Sequence, residues 1–272
     1  HPRVRRQRQM CIRDSNYSFS IANFEYFLLI LVRIASFVYI APFFGDNAVP
    51  ARVKTGLSAF VALFMYNIIE RPQLSYVSAV GFAVLVVKEG ITGLLIGFAA
   101  NICNSIVIFA GNLIDMDIGL SMATEFNPSM NSETTVTGNF YYYVVLVLLL
   151  VSDMHTYLIR AVCDSFSVVP LGGAQFQFDN MLSTMTKYMG DMFVIGFRIF
   201  LPVFACMMIM NCILGIMAKV APQMNMFSVG IQLKIIAGFI VLFLIVYLIP
   251  NIANFIITEI KTMVVSIIDG MY

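Results

Sequence analysis

Long stretches without charge are the feature that most constrains this chain. Its 272 residues are 60% apolar and 11% charged, whereas soluble domains contain roughly 45–50% apolar and about 25% charged residues. Several uncharged stretches reach the roughly 18–20 apolar residues that a helix needs to cross about 30 Å of hydrocarbon. The pattern predicts an all-α integral membrane protein and excludes a water-soluble globular enzyme.

The apolar stretches predict about six long hydrophobic helices arranged in hairpins. They cover residues 19–44, 55–69, 73–114, 134–152, 192–218 and 235–258. The third stretch has Lys88 and Glu89 as its only charges, so it is either one very long helix or two helices that meet at this pair. Hydropathy alone does not decide between these alternatives. Positive charge in the short loops favours outside termini if all six stretches cross the membrane.

Composition divides the chain into four regions. Residues 1–15 hold five of the sixteen Lys and Arg residues without helical or strand periodicity, and we interpret them as a non-native or disordered tail. The alternative is a native basic extension that touches anionic lipid. Residues 16–152 form an N-terminal helical part with an acidic loop at about 115–131, residues 153–191 form a polar connecting region, and residues 192–272 form a C-terminal helical hairpin.

Sequence motifs for enzyme chemistry are missing from the chain. It contains no G-x-x-x-x-G-K-[ST] or G-x-G-x-x-G phosphate loop, no H-E-x-x-H, no G-x-S-x-G and no C-x-x-C. The net charge of +1 argues against a nucleic-acid partner. We therefore expect no catalytic residues, no cofactor and no metal site.

Charged residues inside apolar stretches are costly and usually functional. They could relay ions in a transporter or pair across subunit interfaces in an assembly, and Lys88 and Glu89 could also neutralise each other. Asp115 and Asp117 are interpreted as solvated ends of the acidic loop, because their spacing puts them on different sides of a helix. The charged candidates in the apolar stretches are Glu25, Arg33, Lys88, Glu89 and Arg198.

Small and polar residues form one helical stripe in the third stretch. Such stripes allow close helix packing in membranes, either within the chain or against another subunit. The stripe contains Gly90, Gly93, Gly97, Asn101, Asn104 and Gly111.

The segment 215–230, GIMAKVAPQMNMFSVG, resembles the Pro-Gln-x-Asn-x-Phe loop of the FliR family of type III export gates. Two other segments resemble the same family, so the similarity extends from about residue 19 to the C-terminus. They are Pro42-Phe43-Phe44 with Val49-Pro50-Ala51-Arg52, and Gly111-Asn112-x-x-Asp115 followed by 119–123 (GLSMA) and Asn127-Pro128.

The resemblance implies a non-enzymatic pore subunit of the flagellar export gate, a helical cone through which unfolded flagellar proteins cross the bacterial inner membrane at the basal body. The implied partners are FliP-like and FliQ-like gate subunits and FlhB-like and FlhA-like export proteins. In this family the helices form re-entrant hairpins, so hydropathy is a poor guide to topology. The injectisome gate homologue is the alternative within the family, and an ion-coupled transporter is the alternative outside it.

The resemblance also implies that the loop after Asn112 closes the pore as a plug. Because methionine is unbranched and polarisable, we expect a compliant seal that blocks ions and yields to a polypeptide. The expected plug residues are Met116, Gly119, Leu120, Ser121, Met122, Ala123, Phe126, Asn127, Pro128 and Met130.

Subunit contacts are expected at the small-residue stripe, at the charge on the fifth apolar stretch and at the Pro-Gln-x-Asn turn. This turn could instead serve only to end a helix and satisfy free backbone groups. The contact candidates are Gly93, Gly97, Asn101, Asn104, Arg198, Pro222, Gln223 and Asn225.

Overall fold

The computed structural model describes residues 21–69, 76, 78–121, 123–128, 131–176, 178–221, 223 and 226–271. The predicted tail at residues 1–15 lies outside this part of the chain. The α-helices in it are α1 (Ile21–Ile40), α2 (Ala51–Ile68), α3 (Ala79–Ile118), α4 (Val136–Val151), α5 (Met154–Val168), α6 (Phe178–Val220), α7 (Met226–Ile245) and α8 (Ile249–Asp269). A 3-10 turn, Val246–Leu248, joins α7 to α8, and a hairpin of β1 (Thr124–Asn127) and β2 (Ser132–Thr135) joins α3 to α4.

Four helical segments in the described ranges are long and apolar enough to cross a membrane. They are Asn23–Ile40, Ala79–Ile118, Met181–Val220 and Ser228–Asp269. Helices α4 and α5 are bent by 67° relative to each other and would add a fifth, broken span. The predicted all-α membrane class is confirmed.

The third apolar stretch forms one helix. Ser78 begins α3, where its side chain accepts a hydrogen bond from the Gly81 N–H, and Gly119 ends it with a left-handed φ of 97°. The helix continues through Lys88 and Glu89, because the charge of Glu89 is compensated from another helix. At 40 residues, α3 is roughly 60 Å long, twice the thickness of a hydrocarbon core.

Helix α3 is the centre of the fold and contacts α1, α4, α6 and α8. Its glycines allow the close approach of two neighbours. A Cβ on Gly93 would lie 2.0 Å from the Arg33 carbonyl oxygen of α1, and one on Gly111 would lie 2.3 Å from the Gly138 Cα of α4. Side chains at these positions would force the helices apart.

The C-terminal helices differ from the predicted hairpin in their bounds. Residues 153–191, expected as a polar connection, contain α5 and the start of α6, and α7 begins at Met226, nine residues before the predicted apolar stretch at 235. In the apolar 18-residue window of the Met181–Val220 segment only 17% of the residues are buried, compared with 56% in the corresponding window of Ala79–Ile118. Most of the α6 surface is therefore free to contact lipid or other proteins.

Candidate functional site

The segment expected to form the plug contains a β-hairpin. Strands β1 and β2 are antiparallel, with Phe126 opposite Glu133 and Asn127 opposite Ser132. The chain leaves α3 by a tight turn in which the backbone N–H groups of Gly119 and Leu120 both donate to the Asp115 carbonyl oxygen, at 3.0 and 2.8 Å. The hairpin therefore projects directly from the ends of α3 and α4.

The Asp115 side chain attaches α3 to the start of α4. Its Oδ2 accepts a hydrogen bond from the Thr137 backbone N–H at 2.7 Å, and its Oδ1 accepts one from the Thr137 hydroxyl. Thr135, the residue at the N-cap position, makes no side-chain cap hydrogen bond. Asp115 thus supplies the acceptor and the negative charge that a helix N-terminus favours.

This geometry corrects the interpretation of Asp115 as a solvated loop end, since its side chain is fully buried. Asp117 is half-buried, and its Oδ2 atom is buried without a hydrogen-bond partner in the described part of the chain. Asp115 is oriented by the backbone N–H and the hydroxyl of Thr137, 22 residues further along the chain. The local sequence around it gives no sign of that contact.

Asparagine side chains attach both strands of the hairpin. Asn112 Oδ1 accepts a hydrogen bond from the Thr135 hydroxyl at 2.8 Å, and Asn127 Nδ2 donates to Asn139 Oδ1 at 2.7 Å. Asn139 Nδ2 in turn donates to Glu125 Oε2 at 3.3 Å. Three pairs, which we call the hairpin anchor, fix the base of the hairpin: Asp115–Thr137 joins α3 to α4, Asn112–Thr135 joins α3 to β2, and Asn127–Asn139 joins β1 to α4.

The expected plug residues are placed in different environments. Met116 and Phe126 are 72% and 58% exposed, and Gly119, Ser121, Ala123 and Pro128 are also exposed. Leu120 is half-buried, and Asn127 is fully buried as part of the hairpin anchor. Met122 and Met130 lie outside the described residues. The hairpin thus presents apolar side chains on a base that is held by polar contacts.

A buried ion pair joins α1 to α3. Arg33 Nε lies 2.5 Å from Glu89 Oε2, and both side chains have no exposed surface. Arg33 Nη1 also donates to the Val169 carbonyl oxygen at 3.0 Å, and its guanidinium lies 4.3 Å from the centre of the Phe166 ring. Glu89 Oε1 accepts a hydrogen bond from the Gly172 N–H at 2.8 Å.

The suggested pairing of Lys88 with Glu89 is wrong. Lys88 Nζ donates to the Ala174 carbonyl oxygen at 3.4 Å, while Glu89 faces α1. Consecutive helical residues point in different directions, so neighbours in sequence do not pair. The Arg33–Glu89 pair holds α1, α3, α5 and the segment after α5 together.

Glu25 has a partner outside α1. Its Oε2 accepts a hydrogen bond from the Tyr76 hydroxyl at 2.5 Å. This bond, with partial burial and the nearby negative charge, raises the pKa of Tyr76 above its ordinary value. The contact joins the start of α1 to the segment before α3.

The structure describes only some of the residues expected at subunit contacts. Gly93 and Gly97 pack against the α1 backbone, so their small size is explained by contact within the chain. Asn101 is half-buried, whereas Arg198 and Gln223 are exposed. The Asn104 side chain, Pro222 and Asn225 lie outside the described residues. Subunit contact at Asn101, Arg198 and Gln223 stays a prediction.

Metal ligands are not clustered in the described ranges, where no three His, Cys, Asp or Glu side chains are placed to hold an ion. The geometry instead defines a class: an all-α membrane protein whose central helices carry an anchored β-hairpin. The chain belongs to the family described as Bacterial export proteins, family 1, whose profile matches residues 24–260.

Several curated proteins resemble the chain over most of its length. It is 31% identical to the flagellar biosynthetic protein FliR of Bacillus subtilis (strain 168), over 80% of this chain and 85% of the relative. It is 27% identical to the protein of the same name from Escherichia coli (strain K12), over 89% and 92%. It is also 27% identical to the FliR protein of Aquifex aeolicus (strain VF5), over 80% of this chain and 83% of the relative.

Proposed function

We propose that this chain is a non-enzymatic pore subunit of the flagellar type III export gate. In this role it is needed for flagellum assembly and for the passage of unfolded flagellar proteins across the bacterial inner membrane. Membership of the export family and the similarity to FliR proteins support the flagellar assignment. The observation that carries the pore role is the anchored hairpin between α3 and α4.

The hairpin has the properties that a pore plug needs. Its base is fixed by the buried Asp115 and Asn127 side chains, so its position relative to α3 and α4 is defined. Its exposed Phe126, together with the exposed Met116 near the end of α3, offers apolar surface that could seal a narrow channel. Aromatic and methionine side chains exclude hydrated ions, and methionine can also repack around a passing polypeptide.

The charge pattern supports a scaffold function over ion transport by the chain alone. Arg33 and Glu89 compensate each other's charge in a fully buried pair. Glu25 and Lys88 also form hydrogen bonds within the chain. Their placement at contacts between helices is what a packed subunit requires, because a buried charge is stable only when it is paired.

The expected partners are FliP-like and FliQ-like gate subunits, with FlhB-like and FlhA-like export proteins at the same basal body. The large exposed apolar surface of α6 supports assembly with other membrane helices. Neither a cofactor nor a nucleic acid is required by this function.

Native mass spectrometry of the chain co-expressed with the FliP-like and FliQ-like proteins of the same cell tests the proposal. We expect a discrete hetero-complex that contains this chain. The control is the FliP-like and FliQ-like pair expressed without it. Recovery of the chain only as a monomer or homodimer, while those partners assemble with each other, would contradict the proposal.

A further inference from the structure

The hairpin between α3 and α4 folds back along α4 and contacts it through one face. Residues two apart in a strand share a face, and Glu125 and Asn127 of β1 both contact the Asn139 side chain in the first turn of α4, at 3.3 and 2.7 Å. One turn further along α4, the Tyr143 hydroxyl donates to Asn127 Oδ1 at 3.4 Å. Thr134, opposite Glu125 in the hairpin, is buried on the same face. We call these contacts of β1 with α4 the hairpin latch.

The base of the hairpin is held more firmly than this face. The buried carboxylate of Asp115 accepts two hydrogen bonds from Thr137, and a hydrogen bond to an ionised group is roughly twice as strong as one between neutral groups. The backbones of α3 and α4 also touch here, since a Cβ added to Gly111 would lie 2.3 Å from the Gly138 Cα. The ends of the two helices are therefore fixed relative to each other.

The hairpin latch is weaker, because its central bond joins two neutral amides. The net contribution of such a bond is small, and the accompanying bonds, from Asn139 to Glu125 and from Tyr143 to Asn127, are long at 3.3 and 3.4 Å. The Thr134 hydroxyl oxygen is buried on this face without a hydrogen-bond partner among the described residues. Burial of an unpaired hydroxyl is unfavourable, so release of the latch returns this group to water and offsets part of the bonds lost.

Both connections of the hairpin to the helices lie at its base and allow it to turn there. On the α3 side, Gly119 has a left-handed φ of 97°, and a Cβ at this position would have no heavy atom within 4 Å. Because glycine adopts a wider range of backbone angles than other residues, the chain can change direction at this point without a clash. On the other side, β2 runs directly into α4 at Val136, beside the Asp115–Thr137 pair.

We propose that the hairpin opens as a unit by releasing the hairpin latch while its base stays in place. Asn127 and Asn139 are the positioning residues of the closed state, and the hairpin-anchor pairs made by Asp115 and Asn112 are the pivot. A polypeptide that enters the pore displaces the hairpin from α4, and the latch closes again after it has passed. This inference rests on the proposed function, since it assigns the moving part of the pore plug.

A reversible crosslink across the latch tests this movement. In a full chain whose native cysteines are replaced by alanine, Asn127→Cys and Asn139→Cys are joined by a short bifunctional thiol reagent that contains a disulfide. The flagellar protein secreted by cells that depend on this chain is then measured. We expect the crosslink to lower secretion at least about tenfold, because the open state is no longer accessible, and a reductant that cleaves the reagent to restore it. The two single-cysteine variants, treated with the same reagent, control for modification without a crosslink.

A crosslink at the pivot distinguishes this movement from a general need for a mobile hairpin. Asn112→Cys and Thr135→Cys, whose native side chains are 2.8 Å apart, are joined by the same reagent. The proposal requires no movement between these positions. Secretion after treatment should therefore equal that of the same variant before treatment.

Loss of the latch should favour the open state. We expect Asn139→Ala to raise ion leakage through the assembled gate about fivefold, since removal of one neutral hydrogen-bonded pair shifts the open-to-closed ratio by about that factor. The matched control is Asn67→Ala, which removes an exposed amide that donates to the Leu63 carbonyl oxygen of its own helix. Co-purification of the FliP-like and FliQ-like subunits shows that both variant gates have assembled before leakage is measured.

The outcomes separate this inference from the proposed function. If the untreated chain supports export, but the latch crosslink leaves secretion unchanged or the pivot crosslink stops it, the assigned movement is overturned and the pore role stands. The same holds if assembled Asn139→Ala gates leak no more than Asn67→Ala gates. Failure of the untreated wild-type chain to support export would overturn both.

Discussion

The Arg33 and Glu89 side chains are tolerated in the core because each compensates the other. Removal of two charges from water is expensive, and their attraction offsets this cost only with close geometry and further hydrogen bonds. Here the carbonyl oxygen of Val169 and the N–H of Gly172 supply those bonds. The pair therefore fixes one arrangement of α1, α3 and α5, although its net contribution to stability is not large.

Replacement of one partner of the pair should lower the stability of the fold far more than this net contribution suggests. Glu89→Gln leaves the buried Arg33 charge uncompensated, which typically costs about 3–5 kcal/mol. We expect the purified full chain in detergent to unfold at a clearly lower temperature. Lys88→Gln, the matched control, removes a charge one residue earlier from a partly exposed position with one long hydrogen bond. Equal unfolding temperatures for the two variants would contradict this role for the pair.

At the residue scale, the sequence predicted which charges are unusual but not what they contact. Arg33 and Glu89 were recognised because they interrupt apolar stretches, yet their 56-residue separation gives no pairing signal. Asp115 was misinterpreted for a related reason. Its acidic neighbourhood is typical of a solvated loop, whereas its side chain is oriented by the Thr137 N–H and hydroxyl at the start of α4.

At the scale of elements, close helix contacts set the geometry of the core. The glycine spacing in the third apolar stretch correctly predicted a face for close packing, because small residues recur there at helical intervals. It left open which helix packs on that face. The structure assigns Gly93 to α1 and Gly111 to α4.

A methyl group at Gly93 should separate α1 from α3. The added Cβ would lie 2.0 Å from a backbone oxygen and 2.3 Å from the Ser36 hydroxyl oxygen. Backbone atoms cannot move aside without displacing the helix, so we expect Gly93→Ala to cost about 1–3 kcal/mol through overpacking.

Gly190→Ala is the control for this substitution, since a Cβ there has no contact within 4 Å. It should be neutral or slightly stabilising, because alanine favours helices more than glycine. Thermal unfolding of both full-length variants in detergent gives the comparison. A Gly93→Ala chain as stable as Gly190→Ala would show that α1 and α3 do not pack this closely.

The hairpin is the element whose loss should change conductance. If the plug proposal is correct, deletion of residues 121–127 opens the closed pore to ions, because the deletion removes strand β1 with the exposed Phe126 and the Asn127 anchor. We expect increased ion leakage in cells that carry the assembled gate. Partner co-purification confirms that the variant gate has assembled before leakage is measured.

Two substitutions at Phe126 distinguish the loss of an apolar seal from the effect of deleting backbone. Phe126→Leu keeps apolar bulk at an exposed position and should leave leakage near the wild-type level. Phe126→Ser removes that bulk and should increase leakage. Unchanged conductance after both the deletion and Phe126→Ser would contradict a sealing role for the hairpin.

At the scale of the whole molecule, the distribution of burial separates a centre from an open side. Helix α3 lies among α1, α4, α6 and α8, whereas α6 and α7 leave much of their apolar surface uncovered. Hydropathy predicted similar apolar stretches for the central α3 and for the open α6 and α7, because hydropathy reports composition and not the number of neighbouring helices. The long apolar α6 surface is therefore the part of the molecule that assembly should change most.

Two adjacent methionines on α6 make this change measurable. Met207 is fully buried, and Met208 is 47% exposed. In the isolated chain, peroxide should oxidise Met208 to the sulfoxide much faster than Met207, because oxidation requires access to the sulfur. In the complex with FliP-like and FliQ-like subunits, we expect Met208 to be protected while Met207 stays slow. Equal oxidation of Met208 in both states would place the neighbouring subunits on another face of the molecule.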